Sequence, residues 1–261
     1  MEKVINLGIP HVGENIFGNI DTEELIECAL VSETWKVLAE NVLLKRWNGK
    51  LIEACQMEYV DIVRLLLENL DHESAKVSFD RTVFIHACGY SNREIVKLLL
   101  DYSTEINIDL NAKENTTGWT AFMTACLQQQ NDIVELLLDH SIERNIDLNA
   151  RNTRGWTAFI HACHFGHIGV VKLLLDHSGR NIDLNARDDY GRTALMHACR
   201  HGHLDVVKLL TGHPNRKIDL NARDYDGRTA QLTAGIFGHQ DIAKLLFEHP
   251  NRNRPIKRRK L

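Results

Sequence analysis

The chain has 261 residues, with 31 Lys and Arg against 35 Asp and Glu and a formal net charge of -4, a balance that gives no global pull toward nucleic acid or an anionic membrane surface. No apolar run approaches the roughly 20 residues that a membrane-spanning helix needs, and the opening Met1-Glu2-Lys3-Val4-Ile5-Asn6 lacks the basic region, apolar core and cleavage site of a secretory signal. These features lead to the expectation of a soluble protein of the cytoplasm, the nucleus or both.

Residues 1–48 carry helical apolar spacing in three places, 12–20, 22–30 and a third stretch from Glu33 through Trp35 and Leu38 to Ala39, with Asp21 and Ser32 placed as N-caps. A module of that size has little core of its own. Ile16, Phe17 and Trp35 exceed what it could bury, and such a surplus marks a partner surface. Only Trp47-Asn48-Gly49-Lys50 separates it from the helical pattern that opens at Leu51, so the joint is expected to be stiff.

The order Ile9-Pro10, Ile16-Phe17, Ile20-Asp21, Leu25, Val31-Ser32, Trp35, Leu38 and Leu43-Leu44 resembles the F-box, most closely that of the beta-transducin-repeat ligase subunits. Shared without a gap are His11, Glu14-Asn15-Ile16, Asp21, Leu25, Leu30-Val31, Trp35 and Leu44. The resemblance implies docking on the Skp adaptor of a cullin-RING ubiquitin ligase, with Pro10, Ile16, Phe17, Leu25, Val31 and Trp35 as anchors or supports. The same residues also admit a plain helical cap over the helices that begin at Leu51.

From residue 49 to 250 one unit recurs about six times. Its opening threonine falls at Thr82, Thr120, Thr157, Thr193 and Thr229, in steps of 38, 37, 36 and 36 residues by subtraction. A complete unit reads Gly155-Trp156-Thr157-Ala158-Phe159-Ile160-His161-Ala162-Cys163, then Gly166-His167, then Val170-Val171-Lys172-Leu173-Leu174-Leu175, then Ile182-Asp183-Leu184-Asn185-Ala186. The spacing predicts a short first helix rich in small residues, and a second with apolar residues at i, i+3 and i+4. The pattern resembles the ankyrin repeat, whose Thr-Pro-Leu-His-x-Ala signature stands here as Thr193-Ala194-Leu195-Met196-His197-Ala198. The implied fold is all-α: an ankyrin-repeat solenoid preceded by a small three-helix F-box-like module. The usual period is about 33 residues, and the surplus falls in loops after the second helix, such as Asp139-His140-Ser141-Ile142-Glu143-Arg144-Asn145. The first unit is degenerate. The last, with Gln231, Thr233 and Ala243 at apolar or signature positions, reads as a cap.

Cys55, Cys88, Cys126, Cys163 and Cys199 each follow an alanine at one recurring place and read as small buried thiols. His86, His161 and His197 take the signature position and His167, His203 and His239 the turn, where hydrogen bonds within their own repeat explain them better than metal or catalysis. His140, His177, His213 and His249 follow the second helices, where positive charge is favourable. No P-loop, nucleophile elbow or His-Glu-x-x-His occurs. Neither an enzyme nor a cofactor is expected.

Ankyrin stacks bind through hairpin tips and the exposed side of the first helices, which implies a protein client here on Trp119, Trp156, Tyr190, Arg192, Tyr225 and Arg228 at the tips and His164, Phe165, Arg200 and His201 on the helices. Stacking of Trp119 on Trp156 is the plainer alternative for those two. Arginines interleaved with Asp188, Asp189, Asp224 and Asp226 make a groove of mixed sign, better suited to a peptide than to a phosphate backbone. The tail 251–261 carries Lys257-Arg258-Arg259-Lys260, which resembles a nuclear import signal and equally suits a solvated tail.

Overall fold

The computed structural model describes residues 20–29, 33–47, 50–69, 82–90, 92–105, 108–177, 182–213 and 218–250. The chain divides into two compact units, Met1–Ile108 and Asp109–Leu261. All regular structure among the described residues is α-helical.

In the first unit, α1 (Thr22–Ala29) and α2 (Glu33–Trp47) precede two helical hairpins, α3 (Leu51–Gln56) with α4 (Val60–Glu68) and α5 (Val83–Gly89) with α6 (Arg93–Tyr102). Asp21 caps α1 as expected, its Oδ1 accepting from the Glu24 N–H at 2.8 Å. α2 runs on to Trp47 rather than stopping near Ala39, because Ala39, Val42, Leu43 and Trp47 continue one buried stripe. The Trp47 ring meets Tyr59 edge-on at 5.6 Å, where α2 packs on α4. Arg46 ties the two helices together by donating to the Ile20 carbonyl at 2.8 Å. Leu25 is fully buried, so it supports the module and has no surface left for an adaptor. Pro10, Ile16, Phe17, Val31, Ser32 and the helix expected over 12–20 lie outside the described residues; Trp35 lies on α2.

The second unit holds four hairpins: α7 (Ala121–Leu127) with α8 (Asn131–His140), α9 (Ala158–Phe165) with α10 (Ile168–Asp176), α11 (Ala194–Arg200) with α12 (Leu204–Gly212), and α13 (Ala230–Ile236) with α14 (Gln240–Glu248). First helices stack on first helices and second on second. Ala125-Cys126, Ala162-Cys163 and Ala198-Cys199 are all buried, and their small side chains let the first helices approach closely. Burial pushes the Cys55 thiol of the first unit up to about 12 and raises those of Cys126, Cys163 and Cys199. Such thiols stay neutral and serve packing. Thr120, Thr157 and Thr229 cap their helices with long bonds of 3.3–3.4 Å from the N–H groups of Met123, Ile160 and Leu232.

Hydrogen bonds between hairpins recur in one direction, with the earlier repeat accepting and the later one donating. Asn111, Asn149 and Asn185 accept through Oδ1 from the N–H of Asp147, Asp183 and Asp219 at 2.7–2.8 Å. Each aspartate in turn holds the N–H two residues on, which fixes the Asp-Leu-Asn turn. At the tips, the Thr117, Arg154 and Tyr190 carbonyls accept from the N–H of Thr153, Asp189 and Tyr225. His203 and His239 donate through Nε2 to the carbonyls of His164 and Arg200. The turn histidines His203 and His239 thus bond to the preceding repeat, correcting the expectation of bonds within their own; the signature histidines His161 and His197 do bond within theirs. Side chains of Asn111, Lys113 and Arg151 also donate forward, the opposite sense, without repeating along the stack.

The turn between paired helices needs a left-handed residue. Gly166, Gly202 and Gly238 supply it at φ of 73°, 73° and 83°, but Gln129 stands at the equivalent place with φ 58°. A non-glycine residue there is strained by about 1 kcal/mol. Gln129→Gly is therefore expected to raise the unfolding midpoint of the second unit in a denaturant titration. Gly166→Ala should lower it by more than the conformational term, because the new Cβ would come 2.6 Å from Nδ1 of His203.

Candidate protein-interaction surface

Each hairpin tip is built around one polar side chain turned inward. Asn152 Oδ1 accepts from the N–H groups of Arg154 and Trp156, Asp188 Oδ1 from Tyr190 and Arg192, and Asp224 Oδ1 from Asp226 and Arg228, all at 2.8–3.1 Å. Glu114 does this work in the first tip of the unit, taking the hydroxyl and N–H groups of Thr116 and Thr117, which lower its carboxyl to about 2. Asp188 and Asp224 are buried, so the groove has fewer free carboxylates than the sequence implied. The exposed Asp189 and Asp226 are paired with Arg151 at 3.0 Å and Arg228 at 3.3 Å.

The second atom of the tip residue reaches the signature histidine of the same repeat. Asn152 Nδ2 donates to His161 Nε2 at 3.1 Å, and His197 Nε2 donates to Asp188 Oδ2 at 2.9 Å. Burial alone would raise the Asp188 carboxyl; the His197 bond and the N–H groups of Arg192 and Tyr190 outweigh it and hold the group below its ordinary range. His161 must accept at Nε2, so its proton sits on Nδ1, which is buried without a hydrogen-bond partner.

Around these histidines the tryptophans form a layer. Trp119 and Trp156 do not stack on each other; the His161 ring has Trp119 at 4.3 Å and Trp156 at 4.8 Å. Trp156 also meets His164 at 4.6 Å and His197 at 4.8 Å, and only 8% of it is exposed. Trp156 therefore belongs to the packed layer and not to a client surface. Trp119 is half-buried.

What remains accessible falls in two rows. At the tips Tyr190 and Tyr225 project into solvent, with 76% of Tyr225 exposed; the Arg192 guanidinium lies 4.9 Å over the Tyr190 ring, while Arg228 is half-buried. Along the ends of the first helices, Phe165 and His201 are exposed and His164 and Arg200 half-buried. His164 stands 4.1 Å from the His201 ring. Arg200 covers Phe237 at 4.2 Å, and Ile236 and Phe237 extend this row with exposed apolar surface. Those two occupy the places of Arg200 and His201 one repeat later, which is the signal in the sequence that identifies them.

Burial, then the neighbouring charges of His164 and His197, lowers His161 to about 3; burial, then His201 and His197, lowers His164 to about 4. His167 and His201 are lowered mainly by burial as well. A histidine in the unfolded chain titrates near 6.5. As pH falls, the unfolded state takes the proton first, so the stability contributed by neutral His161 is full above about pH 6.5 and drains away below it. Between pH 7 and pH 4.5 the second unit should lose about 2–3 kcal/mol on this account, since each pH unit below 6.5 removes about 1.4 kcal/mol. Urea titrations at the two pH values check it: His161→Leu should show a smaller difference between them, and an undiminished difference would mean that His161 does not carry the effect.

A family model described as ankyrin repeats (3 copies) matches residues 51–152, 142–224 and 183–256. No curated protein matches the chain. Among the described residues no helix is long and apolar enough to cross a membrane.

Proposed function

Because the chain belongs to the ankyrin-repeat family, whose repeats bind other proteins, we propose that it is a substrate-recognition adaptor of a cullin-RING ubiquitin ligase. The F-box-like residues 1–48 dock the Skp adaptor, and the repeats hold a protein client. The observation that carries the client half is the pair of exposed rows, Tyr190 and Tyr225 at successive tips and Phe165, His201, Ile236 and Phe237 on the first helices. Aromatic and arginine side chains of this kind dominate interface energies. The adaptor half is supported by the sequence of F-box-like residue types from Ile9 to Leu44. It is also supported by the direct seating of α2 on α4 through Trp47 and Tyr59. A stiff joint of this sort holds a client at a set distance from a ubiquitin source, and proximity is the whole contribution of such an adaptor. The protein acts in the cytoplasm, the nucleus or both, and performs no chemistry of its own.

The Trp47–Tyr59 contact also favours a second reading, a scaffold or inhibitor in which residues 1–48 only cap the first repeat. Co-purification separates the two. The intact chain should retain the Skp adaptor and a cullin, and Pro10→Ala with Phe17→Ala should lose both while client binding persists. An intact chain that retains neither would refute the ligase role. For the client face, Tyr190→Ala with Tyr225→Ala should weaken binding without altering the unfolding midpoint. Trp156→Ala should instead destabilise the unit by about 3–5 kcal/mol, as loss of a buried tryptophan does.

A further inference from the structure

The tips of the second unit are left with free charge of one sign. Glu114, Asp188 and Asp224 turn onto N–H groups of their own tips, and Asp189 and Asp226 are matched by Arg151 and Arg228. Among the described tip residues 113–119, 151–157, 187–193 and 223–229, no carboxylate lacks a partner. The arginines are placed differently. Arg154 is exposed, and the Arg192 and Arg200 guanidiniums lie over the rings of Tyr190 and Phe237, contacts that leave a full positive charge in place. Arg187 and Arg223 donate to the Gly191 and Gly227 carbonyls, which are neutral. The mixed sign expected from the sequence thus resolves into partnered carboxylates and uncompensated cations.

This charge belongs to one face. The second helices carry more acids than lysines, with Asp132, Glu135 and Asp139 all on α8. Asp147, Asp183 and Asp219 stand five positions before the tip residues Asn152, Asp188 and Asp224 by subtraction, each holding the N–H two residues on. The histidines of the first helices feel the cationic field. Burial and neighbouring histidines come first among the causes that keep His161, His164 and His201 neutral, and the charges of Arg154 and Arg200 add to them. Exposed rings stand among the cations, namely Tyr190, Tyr225, Phe165 and Phe237.

A fitting occupant is anionic, carries apolar groups and spaces its charges as the repeats do. Stacked helices lie about 10 Å apart, and an extended chain rises about 3.3 Å per residue, so it passes one repeat about every three residues. A nucleic-acid strand brings a phosphate every ~3.4 Å of duplex axis. Only about one phosphate in three would meet a tip arginine, and the rest would stay uncompensated beside a chain of net charge -4. A peptide can place its carboxylates where the cations are. On the premise, given above, that the repeats hold a protein client, we propose that the bound client segment is extended and acidic, with a carboxylate about every third residue and apolar side chains between. The carboxylates meet Arg154, Arg192, Arg200 and Arg223, and the apolar side chains meet Tyr190, Tyr225 and Phe237.

The test selects a display library of random peptides of about twelve residues, long enough to pass the four tips, on the full chain. Selected peptides should hold several-fold more Asp and Glu than the starting library, and one of them, followed by fluorescence anisotropy, should bind several-fold more weakly as salt is raised. Arg154→Glu with Arg192→Glu should turn the selection toward Lys and Arg. Lys172→Glu with Lys208→Glu, at exposed positions of the second helices, changes the net charge by the same amount and should leave it acidic. Unfolding midpoints are measured for each; if the charge reversal unfolds the chain, Arg154→Gln with Arg192→Gln takes its place and should remove the acidic preference. Selected peptides that are not acidic, yet lose binding in Tyr190→Ala with Tyr225→Ala, would overturn the acidic client and leave the client face standing. Peptides indifferent to those tyrosines, or no selected peptide at all, would sink the client face and the acidic client together. An acidic preference that survives the arginine substitutions, or an oligothymidylate bound as tightly as the acidic peptide, would also overturn the acidic client.

Discussion

The structure of the second unit depends on a hydrogen-bond ladder that has a direction. Each hairpin completes the acceptors of the one before it, through an asparagine side chain, a tip carbonyl and the carbonyl at the end of a first helix. Each bond contributes only about 1 kcal/mol net. The bonds lie in exposed or half-buried places where water competes for each group, so register between repeats rests on many of them forming together. A slip by one residue would break all three sets together. This explains why Asp-Leu-Asn and Gly-His recur almost without variation while the loops between them vary in length.

The same ladder explains the histidines. At the turn, imidazole reaches backward to a carbonyl because the glycine in the preceding turn leaves room for the ring: a Cβ on Gly166 or Gly202 would collide with His203 or His239. At the signature position, imidazole reaches to the tip residue of its own repeat and stands among tryptophan rings. One residue type thus bonds to the preceding backbone in one row and to its own hairpin tip in the other, where its ring also packs on the tryptophan of the preceding repeat. Neutral rings suit both tasks, and burial keeps His161 and His164 neutral.

The repeat unit, its helices and the burial of its cysteines were legible in the sequence because each is written several times, so that accidental features average out. The fate of single residues was less so. Trp156 sits on a turn, and turns ordinarily lack a core; the histidine and tryptophan rings of successive repeats supply one, and no pattern within a single repeat shows it. Asp188 and Asp224 read as surface charge because composition does not reveal that a carboxylate can be used up by the N–H groups two and four residues on. The length of α2 was missed for a related reason: its final apolar residue, Trp47, packs on Tyr59, a partner that lies in the first repeat and not in the module. Ile236 and Phe237, by contrast, could be found by aligning repeats and asking where a polar pair had become apolar.

This last contrast bears on how the fold divides labour. In a stack of near-identical units, positions that must satisfy the ladder are fixed, and only positions that no neighbour touches are free to vary. From Thr116 to Thr153 to Asp189 to Tyr225 at the tips, and from Phe165 to His201 to Phe237 on the helices, residue identity changes while the backbone does not. Recognition can therefore be altered one side chain at a time without disturbing stability. Tyr190 and Arg200 serve both roles: their carbonyls belong to the ladder, while the Tyr190 ring projects into solvent and the Arg200 guanidinium covers Phe237. There the backbone is constrained and the side chain alone is open to change, so even at a shared position the two roles act through different atoms.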